Sequence, residues 1–234
     1  MLRTAVWLFS LAAFASAQAT LPLFQEGKLR ALIFSGRNNH DWRATTPHLK
    51  KLLLDTGRFD VRVVEEPAGT SAETLAAYDV LVLDYNGPRW GAATEKAVEE
   101  FIRSGKGMVV VHGASWAFSG LPVLGDGHKR TDIIEPAWPE YGDMIGGVWS
   151  LDEPRTGHGD LHSFKVQFID PRHPIARGME ETFLATDELY HHMRMRPTAK
   201  VIATAYDDPK MRGTGKDEPV LWVVEHGQGC LLYT

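Results

Sequence analysis

Histidine and carboxylate side chains that could move protons occur at three separate places along the sequence. His40 and Asp41 are adjacent, His112 follows a run of apolar residues, and Glu188 precedes the sequence Leu-Tyr-His-His. Imidazole titrates near neutral pH, and a carboxyl group in a partly dry pocket can have a raised pKa, so both serve as general acids or bases. We therefore predict that His40, Asp41, His112 and Glu188 are catalytic.

A second set of residues near these positions has side chains suited to binding a sugar. A tryptophan offers a flat face to a pyranose ring, while hydroxyl, imidazole and carboxylate groups hydrogen-bond its hydroxyls. The candidates for substrate binding are Trp42, Ser115, Trp116, Glu140, His158 and Tyr190. Glu140 and Glu188 would also form the carboxylate pair of a glycosidase if the fold spaces them suitably.

Several of these residues also have purely structural interpretations. Asp41 could cap the next helix, His112 could be a hydrogen-bonded core histidine, and Glu188 could pair with a surface arginine. Ser115 lies in His-Gly-Ala-Ser rather than in the Gly-x-Ser-x-Gly elbow of α/β-hydrolases. A helix cap or a hydrogen bond to a ligand is therefore favoured for Ser115 over a nucleophilic role.

The same histidines would suit a divalent metal such as zinc. His40, His112 and His158 would supply neutral imidazole ligands, and Glu188 or Asp41 a carboxylate. The sequence holds no compact ligand motif, and its single cysteine excludes a zinc site built on several thiolates. Metal binding and use of the histidines as proton shuttles are both open interpretations.

Strands alternate with helices through the first half of the chain. The apolar runs predict strands at 29–35, 59–64, 79–84 and 107–112. Helical spacing predicts helices at about 45–56, 71–78 and 94–104, with Ser71 and Thr94 as N-caps. This order indicates βαβ units and a parallel sheet, in which ligands bind beyond the carboxyl ends of the strands. His40 and His112 each follow such a strand, so we expect them at that edge.

The segment from Ala114 to about His162 is rich in glycine, proline, tryptophan and histidine and shows little periodicity. A segment of this length inside a compact domain usually carries function. Strands resume at 164–169, 200–205 and 220–225, and no linker or repeat separates them from the first half. We therefore expect one domain.

Composition and charge narrow the class of protein. The chain has 234 residues, is 44% hydrophobic and carries a formal net charge of −5, which fits a globular protein with a sizeable core. A mildly acidic balance gives no electrostatic reason to expect nucleic acid as a partner.

Residues 1–17 have the order of a secretory signal peptide. A positive charge at Arg3 is followed by an apolar run and then by Ala15-Ser-Ala. The run is shorter than the about 20 residues that a membrane span needs. We predict cleavage near Ala17, export to the periplasm or the medium, and no stable membrane span in the mature protein.

Seven motifs carry a family resemblance when they are taken in order. They are Gly36-Arg-Asn-Asn-His-Asp-Trp, Val110-Val-His-Gly-Ala-Ser, Trp138-Pro-Glu-Tyr with Ile145-Gly-Gly, Gly157-His-Gly, Asp170 to Pro174, Asp187-Glu-Leu-Tyr and Asp217-Glu-Pro-Val-Leu-Trp. Together they resemble the trehalose-utilisation (ThuA-like) family over residues 29–234. The resemblance implies a flavodoxin-like, class I glutamine amidotransferase-like α/β fold, a three-layer sandwich with a mostly parallel central sheet. It also implies a role in carbohydrate catabolism, including disaccharide oxidation to 3-keto sugars alongside a separate sugar dehydrogenase.

Two departures from this background affect the expected chemistry. Class I glutamine amidotransferases place a cysteine nucleophile on the turn after a central strand, but that turn here reads Val111-His-Gly-Ala-Ser. Cys230 lies in a terminal strand, so we exclude amidotransferase activity. The family usually continues beyond Thr234, and we therefore expect a C-terminal truncation that could remove groups from the site.

The sequence thus predicts an exported protein that acts on a sugar or a 3-keto glycoside. The proposed chemistry is acid–base catalysis by histidine and glutamate, with or without a divalent metal. A non-catalytic carbohydrate-binding or accessory module of the same fold is the alternative, and a serine hydrolase acting through Ser115 is a third, weaker interpretation.

Overall fold

The computed structural model describes residues 23–234, so the predicted signal peptide lies outside the described residues. The helices are α1 (Trp42–Asp55), α2 (Ala72–Ala76), α3 (Ala92–Arg103) and α4 (Pro139–Ile145). The first eight strands are β1 (Leu29–Phe34), β2 (Phe59–Val64), β3 (Val80–Leu83), β4 (Gly107–Val110), β5 (Pro122–Gly125), β6 (Lys129–Ile134), β7 (Gly147–Val148) and β8 (Gly157–His158). The remaining strands are β9 (His162–Phe168), β10 (Thr182–Asp187), β11 (Tyr190–His191), β12 (Arg194–Met195), β13 (Lys200–Tyr206), β14 (Asp217–His226) and β15 (Gly229–Tyr233).

Nine of these strands form the central sheet within residues 23–234, in the order β10-β9-β13-β14-β15-β4-β3-β1-β2. The pairs β2–β1, β1–β3, β3–β4 and β4–β15 are parallel, and the pairs from β15 to β10 are antiparallel. The parallel core of the predicted α/β sandwich is confirmed. The antiparallel strands extend it on one side.

The apolar runs form the parallel core because these strands are covered on both faces. Residues 31–34 of β1 are completely buried, and β3 and β4 contribute further buried residues to the core. One cluster joins alternate residues of these strands to α3 and α4, including Phe34, Ile102 and Met144. A second cluster lies under the antiparallel strands. The parallel strands are therefore a rigid platform for the loops at their carboxyl ends.

The helix starts differ from the predicted ones in two cases. The first helix begins at Trp42 rather than near Thr45, because Asp41 caps it by accepting a hydrogen bond from the backbone N–H of Ala44 at 3.3 Å. The predicted cap at Ser71 is confirmed, since its hydroxyl accepts from the N–H of Thr74. The predicted cap at Thr94 is wrong: this residue is buried in α3 and its hydroxyl accepts from the N–H of Gly69.

The segment without periodicity folds into short ribbons that border the carboxyl edge of the sheet. Strands β5 and β6 form a hairpin, β7 pairs with β12, and β8 pairs with β11. The register of the last ribbon sets Tyr190 opposite His158. Within residues 23–234, no helix has both the length and the apolar character to cross a membrane.

Candidate active site

Three histidines converge on one carboxylate at the carboxyl edge of the sheet. The distances from Glu188 Oε2 are 3.6 Å to His40 Nε2, 3.6 Å to His112 Nε2 and 3.7 Å to His158 Nε2. All four side chains are partly exposed, with about a fifth to a third of their surface open to solvent. The structure thus brings together residues from four separate parts of the sequence.

Each of the four residues is held by a different element. His40 lies in the loop after β1, His112 begins a short 3-10 helix two residues after the end of β4, and His158 ends β8. Glu188 lies in the turn between β10 and β11, which Leu189 anchors by packing its buried side chain into the core under the antiparallel strands. The site therefore depends on both halves of the sheet.

His112 occupies a strained turn. Its φ is 40°, a conformation that residues other than glycine seldom adopt and that is often found at functional sites. Its ring stacks on Tyr190 with centroids 4.0 Å apart, and its carbonyl accepts hydrogen bonds from the hydroxyls of Ser115 (2.9 Å) and Tyr233 (3.2 Å). These contacts hold the imidazole on the turn that follows β4.

A buried polar chain orients His40. Asn38 donates from Nδ2 to Asp84 Oδ1 at 3.0 Å, and Asp84 also accepts from the hydroxyls of Thr45 and Thr46. Because a carboxylate only accepts, the amide oxygen of Asn38 must face His40, where it accepts from the backbone N–H and from Nδ1 at 3.1 Å. The proton of the neutral His40 ring is therefore on Nδ1, and the lone pair of Nε2 faces the site.

A single hydrogen bond to the backbone of the next residue holds His158 in the same tautomer. Its Nδ1 donates to the carbonyl oxygen of Gly159 at 2.8 Å, which leaves the Nε2 lone pair directed towards Glu188. A side chain at Gly159 would clash with the carbonyl oxygen of Met211, only 2.1 Å from where its Cβ would lie. The glycine thus permits the close backbone approach that positions His158.

The pKa of the Glu188 carboxyl is lowered to about 2. The largest cause is its interaction with the His112 imidazole, partial burial opposes the shift, and the charges of His158 and His40 lower the pKa further. The expectation of a raised pKa and a general-acid role for Glu188 is therefore wrong. An ionised carboxylate at neutral pH acts as a ligand or a base.

The three distances from Glu188 Oε2 are longer than direct hydrogen bonds and fit ligands that share an ion with the carboxylate. Charge-assisted N–H···O bonds are about 2.7–2.9 Å long, whereas these nitrogens lie 3.6–3.7 Å from the carboxylate oxygen. Four ligands at about 2.1 Å from a tetrahedral zinc ion lie about 3.4 Å from one another. The donor atoms of His40, His112 and Glu188 are all within 4.8 Å of one another. Two imidazole lone pairs facing a carboxylate also repel it unless a cation lies between them.

An open cavity of about 160 Å³ adjoins this cluster. Its walls include Trp116, Trp149, Tyr190 and Arg130 together with His40, His158 and Glu188. The Trp116 indole donates to the carbonyl oxygen of Pro122 at 2.9 Å, and its ring is 5.2 Å from that of Trp149. Burial raises the pKa of Tyr190 well above its usual value, so its hydroxyl stays protonated. The cavity combines flat aromatic surfaces with the histidine–glutamate cluster.

Four candidate residues lie outside both the histidine–glutamate cluster and this cavity. Asp41 serves as the helix cap, and Trp42 is buried, with its indole donating to Asp126. Ser115 is fully buried and donates to the His112 carbonyl, so its hydroxyl is not available as a nucleophile. Glu140 is exposed in the first turn of α4, so the structure does not pair it with Glu188. The structure therefore gives these four residues structural or surface positions in place of the predicted catalytic and sugar-binding ones.

The sequence reasoning missed the residues that orient the cluster and part of the cavity wall. Asn38 and Asp84 follow β1 and β3, so their positions after two parallel strands could have indicated that they lie at the carboxyl edge of the sheet. Trp149 and Arg130 lie in the segment without periodicity, where no pattern indicates which side chains meet. Cys230 pairs with Gly107 at the amino end of β4, the opposite end of that strand from His112.

The fold and this cluster define an α/β protein with a histidine–carboxylate centre at the carboxyl edge of a parallel sheet. The chain belongs to the ThuA family, whose description is trehalose utilisation and whose model matches residues 30–234. The resemblance found in the sequence is thereby confirmed. No curated protein matches the sequence.

Solved structures support the same assignment. A ThuA-like protein from Parabacteroides merdae is 27% identical, with a TM-score of 0.73 over 88% of this chain and 78% of that chain. A ThuA-like protein from Bacteroides uniformis is 19% identical, with a TM-score of 0.64 over 90% and 82%. A β-galactosidase from Bacillus circulans, 16% identical with a TM-score of 0.52 over 89% of this chain and 28% of that chain, shares the fold.

Proposed function

We propose that this protein is a metal-assisted enzyme that acts on a sugar or a 3-keto glycoside. The observation that carries the proposal is that the donor atoms of His40, His112 and Glu188 all lie within 4.8 Å of one another, with both imidazole nitrogens 3.6 Å from one carboxylate oxygen. The sugar-related role of the ThuA family supports the choice of substrate. The aromatic walls of the adjoining cavity suit a pyranose ring.

The described residues would have three roles: metal binding, orientation of the sugar ring and proton transfer. His40, His112 and Glu188 would hold the metal, with His158 beside Glu188, and the metal would polarise a carbonyl or hydroxyl oxygen of the sugar or activate a water molecule. Trp116 and Trp149 would orient the ring. A histidine that exchanges its metal contact for a proton would act as the acid–base group, because Glu188 is ionised throughout the neutral range.

The test is zinc binding and turnover of a panel of disaccharides and 3-keto disaccharides by the wild type and single variants. We expect His40→Ala and Glu188→Gln to abolish turnover and to weaken zinc binding by more than about 100-fold, the upper end of the effect seen for groups that only orient ligands. His48→Ala is the matched control, since His48 is exposed on α1. Turnover that is unchanged in both variants would contradict the proposal.

The same panel separates the enzyme from a binding module. The buried Ser115 hydroxyl and the distant Cys230 leave the cavity without a serine or cysteine nucleophile from the described residues, which is compatible with sugar binding alone. Calorimetry that shows binding of a disaccharide, with no product after long incubation with zinc, would favour a non-catalytic accessory module.

We also propose that the protein is exported and works beside a sugar dehydrogenase that supplies 3-keto sugars. The charge, apolar run and small residues of positions 1–17 support export. Expression with the native N-terminus followed by N-terminal sequencing should find a mature protein that begins near Gln18. An intact Met1 in a cell-associated protein would contradict export.

A further inference from the structure

Arg130 is a cation on the wall of the cavity beside the histidine–glutamate cluster. It lies on β6, opposite Leu124 of β5, and both residues line the cavity. Its guanidinium carbon is 5.5 Å from the centre of the Trp116 ring, within the range of a cation–π contact. The Trp116 indole donates a hydrogen bond to the Pro122 carbonyl, which fixes the ring against which the guanidinium packs.

Neighbouring carboxylates do not neutralise this guanidinium. Asp126, in the turn of the same hairpin, pairs with Arg43 at 2.8 Å and also accepts from the Trp42 indole. Glu135, just after β6, accepts from the backbone N–H of Arg89 at 2.6 Å. Among the side chains that the structure describes, no carboxylate lies within 4.0 Å of the Arg130 guanidinium nitrogens. The charge of Arg130 is therefore open to a ligand.

The cavity as a whole favours an anion once the proposed metal is present. Glu188 is the carboxylate on its wall, and His40 and His112 are neutral when they ligate a cation. A divalent ion would outweigh the single negative charge of Glu188, and Arg130 adds a further positive charge. A negatively charged group on the substrate would therefore be attracted to a cavity in a protein whose net charge is −5.

We propose that the substrate is an anionic sugar, with a carboxylate bound by Arg130 and the ring placed against Trp116 and Trp149. A guanidinium presents paired N–H donors that match a carboxylate, and a tryptophan face suits the ring. The proposal rests on the proposed function, because it names the substrate class of the same cavity. It requires no new chemical step.

The experiment compares methyl β-glucuronide with methyl β-glucoside. The two differ only in that the glucuronide carries a carboxylate where the glucoside carries a hydroxymethyl group. Calorimetry with the zinc-loaded wild type should show at least about 10-fold tighter binding of the glucuronide, the range of one charge-assisted hydrogen-bonded pair. Arg130→Gln should remove this preference, so that the variant binds the two glycosides with equal affinity. Lys129→Gln is the matched control, because Lys129 is an exposed neighbour that does not line the cavity.

Two results with these glycosides would contradict the anion site. Equal affinity of the wild type for the two glycosides, or a preference that persists in Arg130→Gln, would overturn the proposal. Glucose 6-phosphate is included as a third probe, and tighter binding of it than of the glucuronide would overturn the carboxylate assignment. Zinc binding is measured separately in the same samples. Its absence in the wild type would contradict the proposed function, whereas equal glycoside affinities with zinc bound would contradict only the anion site.

Discussion

At the scale of single residues, the site is a set of imidazoles whose tautomers are fixed by their outer hydrogen bonds. His40 gives its Nδ1 proton to Asn38, and His158 gives its own to the Gly159 carbonyl. Both Nε2 lone pairs then face Glu188, an arrangement typical of histidines that bind metals. The four members of this cluster were predicted from residue type and position, but the sequence could not show that Asp41 turns away to cap a helix.

The lowered pKa of Glu188 predicts the pH dependence of metal binding. Its carboxyl, with a pKa of about 2, is already ionised and releases no proton between pH 4 and 7. An imidazole binds a metal only through an unprotonated ring nitrogen, so zinc affinity should fall as acid protonates the imidazole ligands, with up to two protons released for each zinc bound. Calorimetry in a pH series checks this slope. A decline centred between pH 4 and 5 would show instead that the carboxylate controls binding.

Asn38 should affect zinc binding without touching the metal. Replacing it by alanine removes the acceptor for His40 Nδ1 and a donor to the buried Asp84. We expect Asn38→Ala to weaken zinc binding by roughly 10–100-fold, the usual effect of losing a group that orients a ligand. The metal-free variant should show native circular dichroism. Wild-type zinc affinity in the folded variant would refute the orienting role.

At the scale of elements, the carboxyl ends of β1 and β4 hold two of the histidines and the β8–β11 ribbon holds the third. The parallel strands could be predicted because long apolar runs indicate burial on both faces. The ribbons could not, since strands of two residues such as β8 and β11 carry no periodicity and exist only through their partners. Arg130 and Trp149 escaped prediction for the same reason.

Gly113 tests how tightly the turn after β4 packs against the loop after β1. A Cβ at this position would lie 2.7 Å from His40 Nδ1, closer than side-chain contacts allow. Gly113→Ala should therefore displace the imidazole and weaken zinc binding, which a titration followed by calorimetry would detect. In Gly107→Ala, at the other end of β4, the new Cβ would be 3.5 Å from Val80, an ordinary contact. Equal zinc affinities in the two variants would contradict this packing argument.

At the scale of the whole molecule, the cluster joins the parallel and antiparallel halves of the sheet. His40 and His112 belong to the parallel half, and Glu188 follows the edge strand β10 of the antiparallel half. The sequence predicted strands in both halves but not this order, which depends on long-range pairing. A metal bound by His40, His112 and Glu188 would link the two halves of the sheet. It would stabilise only the folded chain, because the unfolded chain does not assemble the site.

Zinc should therefore raise the temperature of unfolding. At a free zinc concentration about 100 times the Kd, the expected gain is about 2.7 kcal/mol, or roughly 5–10 °C for a chain of this size. Differential scanning calorimetry with and without zinc measures the shift. Glu188→Gln should lose most of it, and His48→Ala should keep it. A shift of equal size in all three proteins would place the metal elsewhere.

The most direct test of the metal centre is anomalous diffraction at the zinc edge from crystals grown with zinc. The structure predicts one strong peak about 2.0–2.2 Å from the Nε2 atoms of His40 and His112 and from a carboxylate oxygen of Glu188. Absence of a peak at this position in crystals that contain zinc, with these three side chains in direct contact with one another, would contradict it.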